Sequence, residues 1–141
     1  MLARRELSEA QVRQRLARKG HEPDAIDDAV ARLLGERAID DARVAEAIAR
    51  TETAIHRRGK ARVRLQIERA GIAKSIARHA VAEVFGALDG EAHIEASLKK
   101  RLRGRDTIAD DREFQRLVRY LVGQGFEMDQ VMTTLTARRR R

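Results

Sequence analysis

The sequence predicts an all-α protein made of three tandem, diverged three-helix repeats that form an elongated and curved molecule. Three observations predict this fold class. Ala, Leu, Arg, Glu and Val dominate the chain, and most of these residues favour helices. One spacing of apolar residues and glycine occurs three times. No segment combines apolar–polar alternation with β-branched or aromatic residues, so no sheet is expected.

The first helix of each repeat is marked by two apolar residues four positions apart that precede a glycine. Apolar residues at this spacing share one helical face, and glycine suits the left-handed residue that follows a helix end. We therefore expect three helices that end at their glycines. The three sets are Val12, Leu16 and Gly20, then Val63, Ile67 and Gly71, then Leu117, Leu121 and Gly125.

The second helix of each repeat follows the glycine and carries apolar residues at i, i+1, i+4 and i+5, which form one wide stripe. The first two copies match at an offset of 51 residues, and the third keeps only Val131 and Leu135. The pattern predicts a core that includes Ile26, Val30, Leu34, Ile76, Val81 and Phe85.

A third helix is expected after each of the first two helix pairs. Asp40 and Asp41 can cap a helix whose apolar seam is Val44, Ile48, Thr51 and Ile55, and Asp89 precedes a seam of Ile94, Leu98 and Leu102. The last unit ends before a long third helix can form. We place the repeats at 1–57, 58–104 and 105–141, and stacking would bury the apolar face that each leaves open.

Other local signals agree with these helices. Ser8 to Gln11 reads as a capping box, Pro23 suits a first helical turn, and Asp110-Asp111 suits a helix start. Core positions are also expected for the aromatic residues Phe85, Phe114, Tyr120 and Phe126.

The charge balance predicts an anionic partner. The chain has 30 Lys and Arg against 22 Asp and Glu, a net charge of +8. No cysteine is present, and we find neither a signal peptide nor an apolar run long enough to cross a membrane. We therefore expect a cytoplasmic monomer with no membrane contact.

The basic residues concentrate at the two junctions between repeats. We call Arg57, Arg58, Lys60 and Arg62 the first junction cluster, and Lys99, Lys100, Arg101, Arg103 and Arg105 the second junction cluster. Both are predicted to bind the partner and DNA phosphates, which require Arg and Lys but no special spacing. The alternative is a solvated surface, in which pairs such as Glu9 with Arg13, Arg64 with Glu68 and Glu95 with Lys99 use some of the charge.

The pattern gives no support for catalysis, a metal or a cofactor. A phosphate loop at Arg58-Gly59-Lys60 would need glycine where Ala54 stands and a hydroxyl residue where Ala61 stands. The four histidines lack metal-ligand spacing, so we expect them on helix surfaces. A helical nuclease is the enzyme alternative, and it lacks a convincing group of carboxylates or histidines.

Several short motifs occur in an order that resembles the bacterial RecX family of recombination regulators. The likeness begins at Leu2 to Ser8 and continues through Ile39 to Ala45, which resembles the family's Asp-Asp-x-Arg-Phe-Ala segment. It goes on through Arg58 to Val63, Gly71-Ile72 and Arg119 to Phe126. Two positions depart from the family: Val44 replaces an aromatic residue, and Gly123-Gln124 stands where a basic residue is usual.

The resemblance implies tandem three-helix repeats and a role in DNA repair, recombination and the SOS response. It implies binding in the groove of the RecA filament on DNA, with inhibition of the ATPase, strand-exchange and coprotease activities of RecA. The protein would bind single- and double-stranded DNA through contacts with the DNA phosphates. The alternative is a general basic helical protein that binds nucleic acid without a RecA partner.

Overall fold

The computed structural model describes residues 6–139, and this part of the chain contains eight α-helices and no strand. The all-α prediction is therefore confirmed. The helices are α1 (Glu9–Arg18), α2 (Pro23–Gly35), α3 (Asp41–Ala54), α4 (Lys60–Arg69), α5 (Lys74–Gly86), α6 (Gly90–Leu102), α7 (Asp111–Gly123) and α8 (Met128–Ala137).

The helix starts follow the local signals. Ser8 and Gln11 form the expected reciprocal capping box of α1, and Pro23 occupies the first turn of α2. The carboxylates of Asp40 and Asp110 accept hydrogen bonds from backbone N–H groups in the first turns of α3 and α7. These caps satisfy donors that a helix leaves unpaired at its N-terminus.

The three glycines lie just beyond the ends of α1, α4 and α7, as predicted. Gly20, Gly71 and Gly125 have φ angles of +88°, +80° and +101°. This left-handed region is strained for residues with a Cβ atom. The repeated apolar–glycine spacing is therefore a repeated helix ending.

The apolar side chains form three cores that follow one another along the chain. The first core joins α1 and α2, the second joins α3, α4 and α5, and the third joins α6, α7 and α8. The third helix of each of the first two expected repeats, α3 and α6, thus packs with the pair of helices that follows it. The boundaries at 1–57, 58–104 and 105–141 stay a prediction about folding units.

Neighbouring groups meet through corresponding positions of the repeat. The Ser8 hydroxyl, at the start of α1, donates to the carbonyl of Ala70 at the end of α4. Gly59, at the start of α4, donates its N–H to the carbonyl of Gln124 at the end of α7, with 2.7 Å between nitrogen and oxygen. The start of one first helix therefore contacts the glycine turn of the next.

Several core assignments need correction. Leu34 is 43% exposed and Ile55 is 65% exposed, because each lies near a helix end that no neighbouring helix covers. Thr51 is also exposed. The other expected core residues are buried or half-buried, namely Ile26, Val30, Val81, Ile76 and Phe85. Of the aromatic residues, Phe114 and Phe126 are buried, whereas Tyr120 and Phe85 are half-buried.

The molecule exposes much of its surface. Its accessible area is 9937 Å², against roughly 7,400 Å² for a compact monomer of the same mass. An open groove of about 820 Å³ runs between α1 and the end of α2. In the second and third cores the helix pair is joined by a preceding helix, α3 or α6, which the first core lacks. These features agree with an extended stack.

Candidate nucleic-acid and partner interface

The first junction cluster lies in the turn between α3 and α4. Arg57 is exposed in a left-handed conformation, and Lys60 is exposed at the first position of α4. Arg58 instead points inward and pairs with Glu52 at 2.7 Å, with side chains only 23% and 14% exposed. Arg57 and Lys60 are therefore available to a partner, and Arg58 is held by the fold.

Arg62 is half-buried where α4 meets the end of α7. Its Nη1 atom donates to the carbonyl of Gly123 at 3.3 Å, and its backbone packs against Gly125. Its Nε atom is buried and has no hydrogen-bond partner among the described residues. Arg62 therefore acts first as a contact between the second and third helical groups.

His93 completes this junction and corrects the expectation of a surface histidine. It is 5% exposed and packs between Phe85 and Phe126, with ring centroids 5.6 and 5.4 Å away. Its Nε2 lies 2.6 Å from the carbonyl of Arg58. Since a carbonyl oxygen only accepts, Nε2 carries the proton in this contact.

The second junction cluster surrounds the end of α6. Lys99, Lys100 and Arg101 occupy its last turn, where cations also interact favourably with the helix dipole. Arg103 caps the helix in a left-handed conformation and is exposed. No ion pair with these four residues is present between residues 6 and 139.

Arg105 differs from the rest of this cluster because its guanidinium is paired with a carboxylate. Its guanidinium donates to both carboxylate oxygens of Glu113, at 2.9 and 2.5 Å. The pair, with a further hydrogen bond from the backbone of Ala109, lowers the pKa of Glu113 to about 2. The same pair raises the pKa of Arg105. Arg105 fixes the loop between α6 and α7 and has little capacity left for a phosphate.

Helix α7 contributes basic residues that do not form a run in the sequence and were not predicted as site residues. Arg112, Arg116 and Arg119 are exposed and lie on one face by their spacing, opposite the buried Phe114, Leu117 and Leu121. We call these three arginines the α7 basic face. None of them has an acid within 4 Å in the described part of the chain. Helical periodicity applied to the charges would have found them.

Residues of both junction clusters contact the C-terminal part of α7, next to the α7 basic face. Gly123, which accepts from Arg62, is one turn beyond Tyr120 on α7. The guanidinium carbon of Arg101 lies 4.0 Å from the centroid of the Tyr120 ring. Contacts with α7 therefore bring Arg62 and Arg101 to one region. No such contact connects Lys99, Lys100 or Arg103 with the first junction cluster among the described residues.

Several expected internal ion pairs are confirmed, and one is wrong. Glu9 pairs with Arg13 at 3.3 Å and Arg64 with Glu68 at 3.9 Å. Glu95 pairs with Arg138 beyond α8 and not with Lys99. Lys99 is exposed.

The described residues offer neither a metal site nor a membrane span. Between residues 6 and 139, no group of three or more His, Asp or Glu side chains is placed to hold a metal ion. None of the helices in the same range has the length and apolar character needed to cross a membrane.

Comparisons with known proteins point to one family. A family model for the first three-helix domain of RecX matches residues 1–33. The regulatory protein RecX of Chromohalobacter salexigens is 32% identical over 93% of this chain and 83% of its own length. The regulatory protein RecX of Halorhodospira halophila is 29% identical over 97% of this chain and 83% of its own.

Solved structures give the same result for the fold. The crystal structure of RecX from Lactobacillus salivarius matches with a TM-score of 0.73 and 18% identity, covering 93% of this chain and 84% of that one. A second crystal structure of a regulatory protein RecX matches with a TM-score of 0.74 and 20% identity, covering 93% and 64% of the two chains. The helical arrangement is thus shared over nearly the whole chain.

Proposed function

The chain belongs to the RecX family of regulatory proteins, and we propose that it binds the RecA filament on DNA and inhibits RecA. The inhibited activities would be ATP hydrolysis, strand exchange and coprotease activity. RecX is a family of regulators and not of enzymes, and we propose that this member acts by binding alone, without a cofactor. The proposed partner would place it in the bacterial cytoplasm.

The observation that carries this proposal is the α7 basic face, together with the cations beside it. Arg112, Arg116 and Arg119 are exposed and free of acids within the described chain, and Arg101 lies next to the same helix. Unpaired guanidinium groups on one face of a helix suit a row of phosphates. A nucleoprotein filament offers such phosphates beside the acidic side chains of its protein subunits.

The stacked arrangement of helices supports a filament as the partner. Three cores follow one another along the chain, and the molecule exposes more surface than a compact monomer would. An extended stack can contact several subunits of a polymer at once. Contacts spread over several subunits would add to one another, because the later contacts form within a complex that already exists.

The alternative function is general binding of nucleic acid without RecA, and the same basic face favours it. Binding through phosphates alone weakens steeply as salt rises, because it depends on the release of counterions. A complex that also contacts the protein subunits of a filament should keep a part that resists salt. The two functions therefore differ in a measurable way.

The direct test follows ATP hydrolysis by RecA on single-stranded DNA while the protein is added. We expect inhibition that saturates with increasing concentration of the protein. Changing Arg112, Arg116 and Arg119 together to Gln should weaken the inhibition, because each contact with a phosphate contributes separately. Unchanged ATP hydrolysis at every concentration would contradict the proposal.

The matched control is Arg32→Gln, since Arg32 is an exposed arginine on α2 beside several acids. We expect it to inhibit like the wild-type protein. Circular dichroism checks that each variant is folded. Arg58 is a poor choice for such tests, because its loss would leave the half-buried Glu52 without its partner. If the triple variant inhibits as strongly as the wild type, the binding face lies elsewhere.

A further inference from the structure

The stack of Arg101 on Tyr120 has features that phosphate binding does not require. Arg101 is exposed in the last turn of α6, and its guanidinium carbon lies 4.0 Å from the ring centroid of Tyr120. Tyr120 is half-buried because one side of it packs against the third core. The ring is therefore held in place, while the arginine above it meets solvent.

The other cation–aromatic contacts in the described chain lack this combination. Arg139 lies over Phe114, but Phe114 is only 3% exposed and Arg139 is paired with Asp111. Lys60 lies 6.0 Å from the ring of Phe85, and an ammonium group has no flat face on which a base could stack. Among residues 6–139, only the contact between Arg101 and Tyr120 joins a planar, exposed cation to a ring that is not fully buried.

The surroundings of this stack favour a negatively charged ligand. Arg116 lies one turn before Tyr120 on α7, and Arg119 is its neighbour in sequence; both are exposed. By helical spacing, the acid of α7 on this side is Glu113, which Arg105 already engages. Phosphates on either side of a stacked base would thus meet unpaired cations.

A planar guanidinium and an aromatic ring are the groups on which proteins stack unpaired bases. A base inside a duplex is covered by its neighbours and cannot reach such a surface. We propose that Arg101 and Tyr120 form a stacking platform for one base of single-stranded DNA, with Arg116 and Arg119 contacting the adjacent phosphates. This binding does not require RecA, so it can hold or fail independently of the proposed regulation.

The chain offers a direct optical test because it has one tyrosine and no tryptophan. Its intrinsic fluorescence therefore comes from Tyr120 alone. We expect oligothymidylate to quench this fluorescence in step with binding, which a labelled oligonucleotide reports independently. A DNA duplex of equal length should bind through its phosphates with little quenching. Saturated binding of oligothymidylate without quenching would overturn the proposal.

Two variants separate stacking from charge. Tyr120→Leu keeps apolar bulk against the core and removes the ring, and we expect a loss of about 5- to 100-fold in affinity for oligothymidylate at moderate salt. Arg101→Lys keeps the charge and removes the flat group, so a smaller loss with an unchanged salt slope is expected. Both variants should bind duplex DNA nearly as well as the wild type.

The matched control is Arg32→Lys, which keeps the charge at an exposed position on α2, away from the proposed site, that has no aromatic contact among the described residues. We expect it to bind oligothymidylate as the wild type does. Should Tyr120→Leu be unfolded, Arg101→Lys and the quenching of the wild type still decide the outcome. Wild-type affinity in Arg101→Lys, or equal losses for single- and double-stranded DNA, would contradict a base stack.

Discussion

At the scale of the residue, the arginines near α7 differ in how much of their hydrogen-bonding capacity is already in use. Arg58 and Arg105 engage acids, and Arg62 binds a carbonyl of α7. Arg112 and Arg116 have no acidic partner within the described chain. A guanidinium that already holds a carboxylate must lose that contact before it can bind a phosphate, so the free arginines are the better candidates for binding.

The pair of Arg105 and Glu113 leads to a prediction about pH. Hydrogen bonds from Arg105 hold the pKa of Glu113 at about 2, below its ordinary value of 4.5. A carboxylate with a lowered pKa stabilises the fold above its unfolded-state pKa, and this contribution is lost as the pH falls through the folded-state value. The free energy of unfolding should therefore decrease between about pH 4.5 and pH 2, partly because of this group.

In urea denaturation over this pH range, Glu113→Gln should be less stable than the wild type at neutral pH. The difference should shrink toward pH 2, where Glu113 itself becomes protonated. Glu91→Gln serves as the control, since Glu91 is an exposed acid in the first turn of α6. A constant difference between Glu113→Gln and the wild type at all pH values would show that the ion pair does not stabilise the fold.

Two leucines test how burial controls stability. Leu98 is fully buried in the third core, whereas Leu34 is 43% exposed. We expect Leu98→Ala to lower the free energy of unfolding by about 2–5 kcal/mol, and Leu34→Ala by less than about 1 kcal/mol. Urea denaturation of both variants measures this difference. Similar losses would mean that the end of α2 is covered in solution.

At the scale of the element, glycines allow the helical groups to approach closely. A Cβ atom on Gly59 would lie 2.5 Å from the carbonyl carbon of Gly125, although the φ of Gly59 is an ordinary −85°. A Cβ on Gly125 would lie 2.4 Å from the nitrogen of Arg62, and Gly125 also has a positive φ. Gly20 has a positive φ but open space around it.

These three glycines separate backbone strain from close packing. Gly20→Ala should cost about 1 kcal/mol from the left-handed conformation alone. Gly59→Ala should cost about 1–3 kcal/mol from the clash alone, since the two helical groups must move apart. Gly125→Ala combines both effects and should be the least stable in thermal denaturation. If Gly59→Ala is as stable as the wild type, the second and third groups do not meet as described.

Many helix starts and ends could be predicted from the sequence, because nearby residues determine them. The capping box at Ser8 and the endings at Gly20, Gly71 and Gly125 depend on residues within one helical turn. The burial of His93 could not be predicted, because it depends on the carbonyl of Arg58, 35 residues away. The α7 basic face could have been predicted, but arginines four and three residues apart do not form a run in the sequence.

At the scale of the whole molecule, the fold brings only part of the predicted basic surface together. Arg62 and Arg101 both contact α7, but Arg58 and Arg105 serve the fold. Sequence could supply the cations but not their partners, because Glu52 and Glu113 become partners only once the turns have formed. The proposed binding surface is therefore centred on α7 and not on the two charge runs.

The most direct test of the central claim compares binding to RecA filaments on single-stranded DNA with binding to the same DNA alone, over a series of salt concentrations. The proposed function predicts that affinity for naked DNA falls steeply with salt, while the complex with the filament persists, since subunit contacts do not depend on the release of DNA counterions. The triple Gln variant of the α7 basic face should show a shallower salt slope on naked DNA. Equal affinities for filament and naked DNA at every salt concentration would contradict a RecA partner and favour a general nucleic-acid-binding protein.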